Sequence, residues 1–584
     1  MSVQSLLRIV ALPSDPSARA RWHEQHEQHE LKRWLDHERG ADVVTLYGSA
    51  TGRCGSSLFV HAILVPEDDI RTAGEQALVS WSGNPFDHYH CGLVYGGGQP
   101  PRVELSSPGA SFEECFPTAQ RLMYGRSFEA RHGHTTYYEL SQELTLAHEL
   151  HWLDERYAWC RLNDNGDVVD LARVERIGTD RLEPYTGVSV TIDRKLLELH
   201  MAATRTCLVQ MFDSTCVTSD FSGWTSGLGD KVFSNNASGL AFKYRVDVPS
   251  GSFFRGSHVL RPPLNANELG AELYSADRAP KQYTTFITHD FKNRRLLEVS
   301  CDPMALASYF DKGSTLPFQT SPVFFKPEVL DKYKADPEKY RIADRTISCR
   351  NAWSLQTYDV NDAGQVHTYI TYLGNLPHQE QMYWKSFNEK PKGTISRRAF
   401  QTDFKGEFDD EADGLRSLRY ELERIRDLRV PWFTLREAGL LDQLHYPLTL
   451  SNKTWGDILT TLAKCVIEGI NKPYLVSEAK KRGSAGDPAW GSLKWLRELL
   501  ASLGVESDRV AEVVDPLIEL QRLRTKLDAH AGDSEATTIR RELLRRFRTP
   551  RAHIHALATG LTASLESIGS MLTTGAAAVD SNTR

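Results

Sequence analysis

At 584 residues the chain exceeds one ordinary core and is long enough for about three or four domains without disulfide or metal staples. Forty per cent hydrophobic and 25% charged residues exclude the disordered and fibrous classes, and a net charge of −7 excludes coating of nucleic acid by bulk electrostatics while leaving room for a local basic surface. Nine cysteines with no CxxC pair fit a reduced, cytoplasmic protein, and no apolar run approaches the roughly 20 residues that a membrane span needs, so no membrane partner is expected.

The N-terminal run from Met1 to Pro13 has no basic leader and reads as a first strand. Between Trp22 and Trp34, His23, His26 and His29 recur every third residue. Imidazoles so spaced on a helix can share a face and bind a transition metal, but the Glu and Gln alternating around them assign a solvated helix face and no metal. A strand from Asp42 to Tyr47, a small-residue loop from Gly48 to Ser57 and an apolar run from Leu58 to Val65 read as a plain hairpin, because the Lys and spacing of a P-loop are absent. Asp87, His88, His90 and Cys91 are chemically suitable metal ligands, yet no partnering Cys/His pair stands elsewhere at standard spacing, so metal and cofactor are both assigned as none. His148 and His151 stand at i,i+3, which rejects a zinc-protease helix needing i,i+4.

Tyr157 to Val169 and Asn351 to His367 read as β-hairpins with turns at Asn163 to Gly166 and Asn361 to Gly364. A helix is expected around Asp193 to Ala203 and a Gly/Ser-rich surface loop from Ser219 to Ser238. From Ser314 to Phe408 aromatic residues such as Trp353, Tyr383 and Trp384 are dense. Interleaved with Lys and Arg they can stack bases, but a core of strands and short helices requires the same residues, and that reading is favoured.

The acidic stretch from Glu407 to Asp413 marks the strongest boundary. A charged amphipathic helix from Leu415 to Leu428 follows, then a helix capped by Thr454, a polar loop from Ser477 to Ala489, and a helix lined by Leu493, Leu496, Leu500 and Leu503 that Gly504 stops. Ser507 starts the next helix, which Pro516 can kink; a basic helix from Thr538 to Arg548 and a last one after Pro550 complete the series. The expected class is multidomain α+β: a β-rich mixed N-terminal and central region followed by an all-α C-terminal bundle. The expected segments are 1–190 α+β, 191–412 β-rich and aromatic-rich, 413–450 helical connector, 451–572 helical bundle and 573–584 disordered tail.

Within the bundle, Leu517, Leu520 and Leu527 form an apolar helix face with Arg524 in register, and His530 follows at the helix end. This Arg, five intervening residues and His, late in a compact helical unit, resembles the HEPN superfamily over about Thr454 to Ile568. The resemblance implies a bundle that dimerises so that two such motifs face one cleft, with Arg524 and His530 as the catalytic pair of a metal-independent ribonuclease. Active members often place Asn, Asp or His directly after the Arg, where this chain has Thr525. An imidazole titrating near neutrality suits deprotonation of a 2′-hydroxyl, and a guanidinium suits the phosphate. Arg540, Arg541, Arg545, Arg546, Arg548 and Arg551 form the densest basic patch and are expected to bind the RNA backbone. Arg126 with His132 and Arg548 with His553 also satisfy the family's Arg, four to six residues, then His. The expected function is a HEPN-type endoribonuclease restrained by an N-terminal sensing region, as in anti-phage defence or toxin systems, with RNA, a second copy and a phage or small-molecule trigger as partners. The alternative is a non-catalytic nucleic-acid- or ligand-binding protein that uses the bundle to dimerise.

Overall fold

The computed structural model describes residues 3–81, 90–96, 98–106, 116–127, 136–177, 185–248, 250–311, 313–343, 345–407, 413–447, 452–527 and 534–581. With 44% of the chain helical, 27% in strands and a helical C-terminal region, it is a multidomain α+β protein. It divides into two units: Met1–Asn163 with Val168–Pro280, and Asp164–Asp167 with Lys281–Arg584.

The first unit is built on an antiparallel sheet. Its strands are β1 (Val43–Thr51), β2 (Ser57–Pro66), β3 (His151–Leu153), β4 (Ala158–Leu162), β5 (Val168–Ile177), β6 (Thr186–Asp193), β7 (Thr206–Val217), β8 (Lys231–Asn235), β9 (Leu240–Asp247) and β10 (Gly251–Leu260), in the spatial order β8-β9-β10-β7-β2-β1-β6-β5-β4-β3. The strands β1 and β2 form the expected hairpin, although β1 runs on through the Gly/Ser segment as far as Thr51. Position 190, the expected first domain boundary, lies inside β6, which is paired on both sides. The Gly/Ser-rich stretch from Ser219 is likewise a connection within this one sheet, from β7 to the edge strand β8. Its composition reports local turn chemistry and not a change of domain.

Three N-terminal helices pack on the sheet: α1 (Val3–Val10), α2 (Pro16–Glu24) and α3 (Glu30–Glu38). The expected first strand is therefore a helix, because Val3, Leu6, Ile9 and Val10 share one face at helical spacing and are all buried. The histidine run also departs from expectation. It breaks after Glu24, and His23 and His29 point into the core with no exposure. Trp22 stacks on His29 with ring centroids 4.0 Å apart, and His29 caps α3 by accepting the Leu31 N–H on Nδ1 at 3.2 Å. The apolar face of the run thus contains the histidines themselves, a pattern that counting them as polar conceals.

A polar network lies under the sheet centre. The Glu38 carboxylate, at the end of α3, accepts the Thr45 N–H at 2.9 Å, the Thr45 hydroxyl at 3.1 Å and Gln210 Nε2 at 3.0 Å. Gln210 also donates to Thr45 O at 2.9 Å, which leaves its Oε1 to accept His258 Nδ1–H at 3.2 Å. Burial lowers His258 from 6.5 to about 4, lowers His23 to about 4, and holds His29 and His61 well below the usual imidazole range. These histidines fold neutral, whereas in the unfolded chain they bind protons below about 6.5. Each therefore contributes stability that is present above pH 6.5 and lost as pH falls toward 4. In urea titrations of the full chain, the first unit is expected to lose on the order of 2 kcal/mol through His258 between pH 7.5 and 4.5, with the other buried histidines adding in the same direction; an unfolding free energy flat across that window would contradict the assignment.

The second unit holds two cores. The first surrounds a sheet of β11 (Thr285–Asp290), β12 (Arg295–Ser300), β13 (Pro322–Phe325), β14 (Asp359–Val360) and β15 (Val366–Tyr369), in the order β12-β11-β13-β15-β14. Both tryptophans of the aromatic-rich stretch belong to it: Trp384 is fully buried and Trp353 is 6% exposed, so neither presents a face to a base. Both expected hairpins form, Val168 pairing with Leu162 and Val360 with Val366, with Gly166 and Gly364 at φ 74° and 75° in the turns.

The second core is helical: α4 (Gly414–Asp427), α5 (Asn452–Val466), α6 (Lys472–Lys481), α7 (Ser492–Ser502), α8 (Ser507–Leu527), α9 (Ser534–Phe547) and α10 (Pro550–Ser581). Four expectations change here. The segment read as a connector, α4, buries Leu415, Leu418, Leu422 and Ile425 in the same core as the bundle. Part of the polar loop from Ser477 belongs to α6, where Asn471 caps the helix and Pro473 occupies the first turn, the one helical region that tolerates proline. The tail read as disordered continues α10 to Ser581 in an alanine-rich stretch of high helix propensity. Thr454 lies within α5, which starts at Asn452. Among the described residues no helix is long and apolar enough to cross a membrane.

Candidate active site

Helix α8 runs through the bundle core. Val510, Val513, Val514, Leu517, Leu520, Leu523 and Leu527 are buried along one stripe, and Arg524 emerges from the edge of that stripe in the last turn, its side chain 36% exposed. The expected placement of a guanidinium beside a packed apolar face is thus what the helix shows.

Its partner among the described residues is Glu468. Arg524 Nη1 lies 2.8 Å from Glu468 Oε1, while Arg436 Nη1 donates to the other carboxylate oxygen at 3.0 Å. Glu468 is set by the chain leaving α5: its N–H bonds to Ala463 O at 3.1 Å, and Gly469 O accepts the Thr434 N–H at 2.8 Å. A Cβ at Gly469 would come within 2.6 Å of the Phe433 ring, so only glycine permits this approach. The carboxylate holds two guanidiniums side by side, leaving one net positive charge.

His530 lies outside the described residues, as do Asp87, His88 and His132. Of the other members of the proposed metal set, Cys91 is an exposed thiol. The competing spacing at Arg548 and His553 is structural: His553 is buried, accepts Trp455 Nε1–H on Nδ1 at 3.1 Å, and is lowered by burial to about 4. Arg126 pairs with Glu139.

The basic patch separates into three parts. Arg541, Arg545, Arg546 and Arg548 are exposed, with Arg541, Arg545 and Arg548 recurring along one side of α9 and its end. Arg540 is 6% exposed and donates Nη2–H to Leu527 O at 2.9 Å, satisfying a carbonyl left open at the end of α8. It is a clamp and not part of an RNA surface. The signal was in the sequence, since Ala536, Ile539, Arg540 and Leu543 share one helical face. Arg551 turns away from the patch and stacks over Tyr446, 4.3 Å from the ring centroid.

Neither the family models nor the curated proteins nor the solved structures contain a match to this chain. What the site offers is its own chemistry: paired guanidiniums beside one carboxylate at a helix end. Arg540→Met is expected to cost about 1–3 kcal/mol by leaving Leu527 O unsatisfied, whereas Arg541→Ala and Arg545→Ala stay within about 0.5 kcal/mol. Chemical denaturation of the three variants checks the contrast, and equal effects would remove the clamp.

Proposed function

We propose that the chain is a metal-independent endoribonuclease of HEPN type, with Arg524 and His530 as its catalytic pair. The observation that supports it best is Arg524 itself, held half-exposed by Glu468 at the end of a buried helix, six positions before a histidine. Fixing a guanidinium in one place before substrate arrives lowers the cost of organising charge around a phosphate. In this reading the Arg524 fork binds the scissile phosphate and stabilises the charge that develops on it. His530 takes the proton from the 2′-hydroxyl, whose oxygen attacks phosphorus and expels the 5′-oxygen, leaving a 2′,3′-cyclic phosphate. Arg541, Arg545, Arg546 and Arg548 hold the flanking backbone, and a second copy of the bundle brings its own pair to the cleft. The residues before the bundle act as the sensing region, answering to a phage or small-molecule trigger.

The buried state of Trp353 and Trp384 disfavours the alternative in which these two rings stack bases, since a buried ring has no free face to offer.

Purified protein is expected to cut single-stranded RNA in the presence of a metal chelator and to leave cyclic phosphate ends. Arg524→Lys keeps the charge beside Glu468 but loses the fork, and should reduce cleavage by on the order of 10²-fold; His530→Ala should reduce it by about 10²–10⁴-fold. Unchanged cleavage by the double variant Arg524→Ala, His530→Ala would rule out this site.

A further inference from the structure

Among the described residues, a two-stranded ribbon in the first unit pairs with no other strand. Its strands, His90–Gly96 and Gln99–Ser106, run antiparallel with Cys91 opposite Leu105, Leu93 opposite Val103 and Val94 opposite Arg102. Alternation of side chains sorts the ribbon into two faces. Arg102 and Glu104 share one, where Arg102 Nε donates to Glu104 Oε2 at 2.8 Å. Cys91, Leu93, Tyr95, Val103 and Leu105 share the other, and no charged residue interrupts it.

The apolar face is the exposed one. Leu93 is 60% exposed, Tyr95 75%, Val103 76% and Leu105 65%, and the Cys91 thiol is exposed among them. An antiparallel pair in water ordinarily turns its polar face outward and packs its apolar face on a core, so the arrangement here is inverted. At roughly 150–200 Å² for each whole residue, these fractions leave on the order of 500 Å² of contiguous apolar surface in water, in the range where a patch marks a contact surface. A ribbon of two strands is also marginal in stability until something packs on one of its faces.

We propose that this face docks on the same face of a second copy of the chain, ribbon against ribbon across a two-fold axis. Charge sets the chemistry of the occupant: a face with no cation offers nothing to a nucleic-acid backbone or an anionic lipid surface, whereas a second apolar face matches it. Area sets its size. Two such faces bury about 1,000 Å² in total, which meets the lower limit for a specific interface and places the dimer at the weak, reversible end. Symmetry completes the fit, because the central pair, Leu93 and Val103, meets its own counterpart while Arg102 and Glu104 on the far side keep their water. The two ribbons then form a small sandwich, the packing that each strand pair lacks alone. None of this depends on RNA cleavage or on contact between helical bundles.

Analytical ultracentrifugation of the full chain between about 1 and 100 µM tests it. A monomer–dimer equilibrium is expected, and alkylation of Cys91 by iodoacetamide, followed on its own peptide by mass spectrometry, slows as the dimer fills. Val103→Lys is expected to weaken association about tenfold or more and to restore fast alkylation. Leu93→Thr, which keeps a residue of high β propensity in the strand, weakens it in the same direction, while Arg102→Gln on the far side leaves it unchanged. Circular dichroism verifies that the variants are folded. A chain that stays monomeric throughout this range overturns the proposal. So does a dimer indifferent to both Val103→Lys and Leu93→Thr, which would be held elsewhere, at the bundle for instance. Resistance of Cys91 to alkylation at every concentration would show the chain covering its own face, and would overturn it equally.

Discussion

Burial of the α8 stripe is the interaction on which the second unit's helical part depends. Its seven buried aliphatic side chains meet α5, α7, α9 and α10, so each contributes to more than one helix contact. At about 1.5–3 kcal/mol for each fully buried side chain, this one stripe outweighs any ion pair on the surface of the bundle. Pro516 sits in the middle of the helix without breaking it. Its ring packs against α10 at Gly560, 3.7 Å from where a Cβ there would stand, an ordinary van der Waals contact. With α8 fixed in rotation, Arg524 has only one direction to point. The ion pair with Glu468 refines that direction but does not create it.

The helical half was legible because its apolar periodicity is strong and local. The ranges of α4 and α7 and the start of α10 follow from leucine spacing, from Gly504 and from Pro550. Helix α6 was hidden because Pro473 and a run of polar residues resemble a loop, and only the cap at Asn471 distinguishes the two. The sheet of the first unit was less legible still. Its central pairings join β7 to β2 and β1 to β6, segments far apart in the chain, and nothing in a single strand states which other strand completes its hydrogen bonds.

The candidate site divides along the same line. That Arg524 lies at the edge of an apolar face could be read from four residues of one helix. That Glu468 and Arg436 meet it could not, because an ion pair between separate elements leaves no local trace. The buried histidines of the first unit show the converse limit. Their spacing was conspicuous, but the feature that decides their role, whether the face they share looks inward, depends on residues far along the chain, such as Phe254 of β10 against His29.

The order of the large sheet has a further consequence, for association. Among the described residues it is an open sheet, and the strands at its two ends are short: β3 has three residues and β8 five, with Lys231 opening β8, whereas β7 and β10 in the interior have twelve and ten. Long strands with many free peptide groups are templates for another chain, and here they are shielded by neighbours on both sides. What remains at the margins is too brief to hold a foreign strand firmly. Growth of the sheet by edge-to-edge addition is therefore disfavoured, and self-assembly falls to surfaces whose backbone hydrogen bonds are already closed.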